Sequence, residues 1–452
     1  MSFFEDLREK YPEFEYNSYS IKDEGENIVI RYFFDIPGLA EFRPVLKIAK
    51  KKFKWNNINT NRTRAIVFYL GMVEAISYYK ATCAERFVVN CGKLTNDQKV
   101  WFKKLYYLGL GEFRYRNQIE VEQKDFVDFI SYGMPIEIED TMPETKGIIV
   151  PIGGGKDSVV TLSLLKDLKD DILCFRINSN DVSNACCETA GYDNSKVIEV
   201  TRTIDQELIE LNNKGFLNGH TPFSAMVAFL TYLVANLLNK HSVILSNEDS
   251  ANQTNVEGQN INHQYSKTYE FETDFRIFAK KYMTARVNYF SMLRPITEIQ
   301  IAKLFSQNKE FYKVFKSCNV GSKQTPWVWC CDCPKCLFVY TILSPYIEKE
   351  ELVDIFGEEL FSKESLEEIF LELCGFKEVK PFECVGTFEE VQYAVSQTIK
   401  QYEVRKEELP YLLKLYKDNY KLRDGNFEKY YNTKHHVPLK YDVILKKALD
   451  IK

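Results

Sequence analysis

Between Tyr19 and Phe53 the apolar residues fall in short β-rich runs. The longest, Asn27 to Phe34, has turn signals before it in Asp23-Glu24-Gly25-Glu26 and after it in Pro37-Gly38. The period then lengthens. Ile66, Leu70, Val73 and Ile76 predict a helix over Arg62 to Thr82, and a second helix is expected from Asp97 to Leu108, with Thr95 and Asn96 as capping candidates. These elements predict a small α+β N-terminal region over residues 1–140.

From Gly147 the pattern changes again. An apolar β-branched run reaches Ile152, meets Gly153, Gly154 and Gly155, and passes through Lys156, Asp157 and Ser158 into apolar spacing suited to a helix. That is a strand, a tight turn and a helix start. Ile172–Ile177, Lys196–Val200 and Ser242–Ser246 supply three further strands, and the uncharged stretch from Thr221 to Leu238 reads as a helix buried against them. Strands alternating with helices predict a parallel sheet covered on both faces, over residues 141–345. Ligands of such sheets bind beyond the carboxyl ends of the strands, where Gly153, Asn178 and Ser246 fall. Past Pro345 come charged helical segments, including Leu360 to Leu373 and Glu407 to Asp418, interrupted by Pro381 to Thr387. The expected class is therefore α/β: a central parallel-sheet domain, a small α+β N-terminal region and a mainly helical C-terminal region over 346–452.

The glycines carry the first chemistry. Three in a row remove side chains that would keep a phosphate away and let successive N–H groups aim at one point, while the helix N-terminus behind them adds unpaired donors. Lys156 supplies a full charge, and Asp157 and Ser158 can cap the helix or orient a metal ion or phosphate oxygen. The spacing is not that of a Walker loop, since the glycines are adjacent and Asp157 separates Lys156 from Ser158. It resembles instead the S-G-G-x-D-S loop of the PP-loop ATP pyrophosphatases, which split ATP between its α- and β-phosphates; Gly153 stands where that superfamily has its first serine. A plain glycine turn is the alternative.

Length, charge and cysteine usage narrow the class. A chain of 452 residues, 45% hydrophobic and 27% charged, is that of a soluble globular protein with two or three domains. A net charge of -5 and no sustained basic domain argue against a nucleic-acid binder, and the basic run from Lys47 to Trp55 reads as a solvated face. The first residues lack a basic region followed by an apolar core, so a cytoplasmic protein is expected. Thr221 to Leu238 carries Pro222, Ser224, Thr231 and Asn236, which suits a buried helix better than a membrane span. Twelve cysteines in such a chain point to thiols or metal ligation.

Three later stretches add candidates. Asn247 to Lys267 is unusually polar and gathers Glu248, Asp249, Glu257, His263, Tyr265 and Lys267, suited to a highly polar ligand; the alternative is a mobile surface loop. Arg294, in Leu293-Arg294-Pro295-Ile296, resembles the R-P-L segment of several PP-loop enzymes and could neutralise phosphate, or could simply open a helix. Cys330, Cys333 and Cys336 are evenly spaced, with Cys318 upstream, and four thiolates in such a hairpin can close a tetrahedral zinc site. The arrangement is similar to the zinc motif of the 7-cyano-7-deazaguanine synthases. An iron–sulfur cluster, or reduced thiols of which one donates a proton, are the other readings, and Cys331 is left over in any of them.

Taken together, Gly153 to Ser158, Ser246 to Asn252, Asn262 to Lys267, Trp329 to Cys336 and Pro381 to Thr387 resemble the MurL family, the UDP-N-acetylmuramoyl-L-alanyl-L-glutamate epimerases. The resemblance implies ATP- and magnesium-dependent inversion of the terminal L-glutamate of UDP-MurNAc-L-Ala-L-Glu through an acyl-adenylate, with release of AMP and diphosphate, in cooperation with the ligase that adds L-glutamate. On that reading ATP lies against Gly153 to Ser158, with Asn178 and Ser246 at the strand ends and Arg294 of the R-P-L segment as further contacts, and magnesium against Asp157, Glu248 or Asp249. The proton-transfer groups would come from His263, Tyr265, Lys267 and Cys384. A PP-loop enzyme that amidates or thiolates a nucleoside-type substrate, and a non-catalytic nucleotide-binding module, remain alternatives.

Overall fold

The structure, a computed structural model, describes residues 2–138, 144–256 and 258–451. The expected boundary at 140 and Glu257 lie outside the described residues. The strands are β1 (Glu13–Glu24), β2 (Asn27–Ile36), β3 (Ala40–Phe42), β4 (Val45–Ala49), β5 (Arg86–Val89), β6 (Asp128–Ser131), β7 (Ile148–Pro151), β8 (Ile172–Ile177), β9 (Val197–Thr203), β10 (Ser242–Leu245) and β11 (Asn288–Ser291). They join in one 11-stranded sheet, ordered β11-β10-β7-β8-β9-β4-β2-β1-β5-β6, with β3 on β2.

The segment β11-β10-β7-β8-β9 is parallel throughout. Alternate residues of these strands enter different cores: Ile149, Leu173, Val243 and Tyr289 face one, and Ile148, Val150, Ile172, Ile244 and Phe290 the other. Because both faces are covered, each strand reads as an unbroken apolar run. The chain leaves β7 towards β8 and β9, then returns to place β10 on the opposite side of β7. The crevice beyond the ends of β7 and β10 is thus a topological switch point, where open α/β sheets bind ligands.

The N-terminal strands do not make a sheet of their own. β4 pairs antiparallel with β9 and the rest follow, so an edge that would otherwise be open is covered. The helix expected over Arg62 to Thr82 is two, Asn61–Glu74 and Ile76–Tyr79, and Asn96–Gly109 starts on Thr95 with a complete capping box. The helix Phe223–Leu237 lies inside the first core, and its polar members are satisfied: Asn236 donates to Thr63 Oγ1 at 2.8 Å and accepts from Arg62 Nε at 2.6 Å. Among the described residues, no helix is long and apolar enough to cross a membrane.

β11 and the helix Phe388–Arg405 are absent from the pattern reading. The first is a four-residue strand, too short for alternation to register. The second opens with a capping box, Thr387 and Glu390, at the end of a stretch that reads as an interruption.

Candidate active site

The glycine loop sits at the switch point. Gly154 has φ +93°, and a Cβ there would stand 2.6 Å from Val182 Cγ1, whereas a Cβ on Gly153 would meet nothing within 4 Å. Gly153 therefore faces open space where a ligand can approach. Gly155 is the N-cap of helix Lys156–Leu164 and offers no side-chain cap, so the first-turn N–H groups keep their donors. Ser158 Oγ donates back to Gly155 O at 2.9 Å, so its hydroxyl is spent on the turn and caps no N–H. Buried hydroxyls of Ser246 and Ser250 beyond β10, and of Ser317 beside Gly155, have no hydrogen-bond partner among the described residues. Such orphaned groups fit a site built for a polyoxygenated ligand.

Lys156 does not project into solvent. It is 2% exposed, bonds Asp157, and lies 2.5 Å from Glu298 Oε2 on helix Glu298–Ser306. Burial works against its charge, but the two carboxylates raise its pKa above the ordinary lysine value. Glu298 is raised by burial, and Glu248 and Glu390 add to that shift; Lys156 opposes it. Asp157 is held below its usual range despite burial, by Lys156, Lys335 and Lys267. Three lysines, Lys156, Lys267 and Lys335, and four carboxylates, Asp157, Glu248, Glu298 and Glu390, thus line one buried wall running from the glycine loop.

The polar stretch after β10 is not a mobile surface loop. It threads the interior, with Ser250, Asn255, Asn262, Gln264 and Tyr265 buried, and it is buttressed by Asn255 Nδ2 donating to Pro381 O at 2.9 Å and Lys380 N to Asn255 O at 2.9 Å. That seam brings Lys267, His263 and Cys384 together. Lys267 Nζ is 3.1 Å from Cys384 Sγ, the His263 ring is near enough for its charge to act on the same thiol, and Lys335 Nζ donates to Cys384 O. Burial alone would raise the Cys384 pKa; Lys267, His263 and Lys335 bring it down to about 6. His263, for which burial disfavours the cation, is pushed up to about 9 by Cys384 and by Glu112, whose Oε2 is 2.5 Å from Nδ1.

Cys318, Cys330, Cys333 and Cys336 have their sulfurs mutually within 4.8 Å, with neighbouring pairs at 3.8, 3.5 and 3.8 Å. A tetrahedron with Zn–S bonds of about 2.3 Å has edges of about 3.8 Å, so the cage fits zinc. Cys331 turns away, its Sγ 3.2 Å from Phe356 O. The hairpin is joined to the site at both ends: Lys316 N donates to Gly154 O at 3.0 Å, and Lys335 lies between two of the cysteines.

Four expected residues stand elsewhere. Asn178 is exposed, and its amide is used on both backbone groups of Arg202. Asp249 holds the C-terminal segment through Asn432 at 2.7 Å and Tyr430 at 3.1 Å. Arg294, 0% exposed, spends its guanidinium on Glu272 and on the carbonyls of Glu248 and Lys267, so it clamps the ends of the polar loop and leaves no donor fork for phosphate. Tyr265 packs in the first core against Phe271, and burial raises its pKa, which suits packing rather than proton transfer. Glu112, Glu298, Lys335 and Ser317 are the residues of this wall that sequence reading missed; Glu112, Glu298 and Ser317 come from segments with no local signature, and Lys335 sits between two cysteines whose spacing pointed to the thiols alone.

Comparison with known proteins places these features in context. The MurL N-terminal domain model matches residues 5–292, and the MurL C-terminal domain model matches residues 314–422. The chain is 30% identical over 372 residues to a UDP-N-acetyl-alpha-D-muramoyl-L-alanyl-L-glutamate epimerase of Xanthomonas oryzae pv. oryzae, covering 81% of each chain. It is 34% identical over 336 residues to the protein of that name from a Micromonospora species, covering 74% of each. To that of Salinispora tropica it is 33% identical over 339 residues, 72% of this chain and 71% of the relative.

Proposed function

This chain belongs to the MurL epimerase family, and on that premise we propose that it inverts the terminal L-glutamate of UDP-MurNAc-L-Ala-L-Glu, a peptidoglycan precursor, using ATP. The observation that carries the reading is the continuity of the buried wall: the glycine loop with Lys156 at one end, and the Cys384, His263 and Lys267 cluster at the other.

A carboxylate opposes removal of its own α-proton because it already bears negative charge. Attack of that carboxylate on the α-phosphorus of ATP expels diphosphate and gives an acyl-adenylate whose carbonyl accepts electrons. The open side of Gly153 and the free N–H groups of the following helix bind the phosphates, while Lys156 offsets their charge. Asp157 and the buried Glu248 are the carboxylates that would hold a magnesium ion, which would spread the diphosphate charge. The Cys384 thiolate takes the α-proton, forming S–H as the C–H electron pair moves to the acyl oxygen. Lys267 holds that thiolate ionised beforehand. A proton delivered to the opposite face and hydrolysis of the adenylate complete the inversion and release AMP.

Cys318, Cys330, Cys333 and Cys336 would hold a structural zinc ion, fixing the hairpin that seats Lys316 on Gly154 and Lys335 on Cys384. The place of the enzyme is directly after the ligase that adds L-glutamate, whose product is its substrate.

Purified protein incubated with UDP-MurNAc-L-Ala-L-Glu, ATP and magnesium is expected to yield D-glutamate on acid hydrolysis and chiral chromatography, together with AMP. Absence of D-glutamate, or inversion without AMP, rejects the proposal.

A further inference from the structure

Glu112 belongs to the N-terminal segment, on helix Gly111–Arg116, far in sequence from every motif discussed above. Its side chain is 7% exposed and reaches across 151 residues to His263. One oxygen, Oε2, lies 2.5 Å from His263 Nδ1; the other accepts from Arg116 Nε at 2.5 Å. With Nδ1 committed to Glu112, Nε2 is the ring atom left to serve Cys384, whose charge and that of the ring favour each other. Arg116, Glu112 and His263 are thus joined by direct polar contacts, Lys267 and Cys384 by another, and the charges of His263 and Cys384 couple the two groups.

We infer that Glu112 is the positioning residue of this site: it fixes the plane of His263 and holds the ring doubly protonated, so that Nε2–H faces the Cys384 sulfur. The inference rests on the reading of Cys384 as the group that removes the α-proton. During that step the proton passes from carbon to sulfur and the electron pair to the acyl oxygen. His263 keeps its own proton, and Glu112 remains ionised throughout, orienting and charging the ring without exchanging protons with it.

A metal site is the competing account, since Glu112, His220 and His263 present donor atoms within 4.8 Å of one another. An ion bonded at about 2.0–2.2 Å keeps adjacent ligand atoms at least about 2.8 Å apart. At 2.5 Å, Oε2 and Nδ1 stand closer than two ligands of one ion and in direct hydrogen-bond contact. His220 stands 3.9 Å from the same oxygen and lies against His263, ring centroids 4.0 Å apart. Burial, then the neighbouring His263 charge, press its pKa down to about 3, so it stays neutral beside the imidazolium. The charged groups facing the pair are Glu112, Glu383, Lys80, Lys267 and the Cys384 thiolate.

The test follows two quantities in the full-length protein: the pH profile of Cys384 alkylation by iodoacetamide, read by peptide mapping, and the inversion rate with ATP and magnesium. Glu112→Gln keeps an oxygen for Nδ1–H but removes the charge. It is expected to move the alkylation midpoint up by about one pH unit and to slow inversion about 10- to 100-fold. Glu112→Ala is expected to lose more, and His220→Ala to leave the midpoint near that of the parent. If Glu112→Gln folds and keeps both the parent midpoint and the parent rate while Cys384→Ala is inactive, the inference fails alone. If Cys384→Ala still inverts glutamate, the underlying reading fails. A zinc, manganese or iron ion that is lost from the protein with His220→Ala, alongside loss of activity, overturns the inference in favour of a metal centre.

Discussion

Lys267 Nζ lies 3.1 Å from Cys384 Sγ, joining the end of the polar loop to a turn 117 residues further along the chain. Burial raises the lysine's cost of being charged, yet its pKa lies above the ordinary value because Cys384, Glu248 and Asp157 surround it. The contact ties the glycine loop's electrostatics to a thiolate, and its consequences are measurable.

Cys384 brought down to about 6 and His263 pushed up to about 9 bound the pH range in which thiolate and imidazolium coexist. Below about 6 the sulfur is protonated and cannot accept the α-proton; above about 9 the ring loses the charge that holds the thiolate in place. The inversion rate is therefore expected to rise through the first value and fall through the second, both belonging to the pair. Lys267→Met removes a cation facing the sulfur, so the acid limb should move to higher pH. An acid limb that stays in place would reject the role given to Lys267.

Gly153 and Gly154 separate ligand contact from backbone need. Gly153→Ala, with no atom within 4 Å of the added carbon, is expected to fold with an unchanged melting temperature and a raised KM for ATP. Gly154→Ala combines φ +93° with a 2.6 Å approach to Val182 and should lose about 1–3 kcal/mol of stability. Unaltered KM in the first variant would remove phosphates from that side of the loop.

The cysteine cage makes a stoichiometric prediction. Untagged protein should contain one zinc per chain by mass spectrometry of the metal. Cys330→Ser and Cys336→Ser should each lose the ion and lower the melting temperature, whereas Cys331→Ser, whose sulfur faces Phe356 O, should retain it. Metal-free protein with full stability would leave the cluster as packed thiols.

Arg294→Met leaves Glu272 buried without its cation, and burial already raises the Glu272 pKa. A stability loss of about 3–5 kcal/mol is expected in denaturant unfolding. A variant of parental stability with a raised KM for ATP would return Arg294 to the phosphate site.

The local motifs were readable because their chemistry needs neighbours in sequence. Gly153 to Ser158 must be contiguous to aim backbone N–H groups and start a helix, and Cys330, Cys333 and Cys336 must be closely spaced to meet at one point. Arg294 shows the limit of that reading. The residue type suited phosphate, but complete burial among Glu272 and two carbonyls decided its use, and burial is a property of packing.

The sequence by itself determined the strand–turn–helix at Gly153, the parallel sheet behind it and the cysteine hairpin, since each is written in a local period or spacing. Only the tertiary structure decided that the N-terminal strands continue the same sheet through β4 and β9, and that Glu112, His263, Lys267 and Cys384 converge. Those contacts span more than a hundred residues, where no local pattern constrains which side chains meet; the sheet order and the seam between the polar loop and Pro381 do.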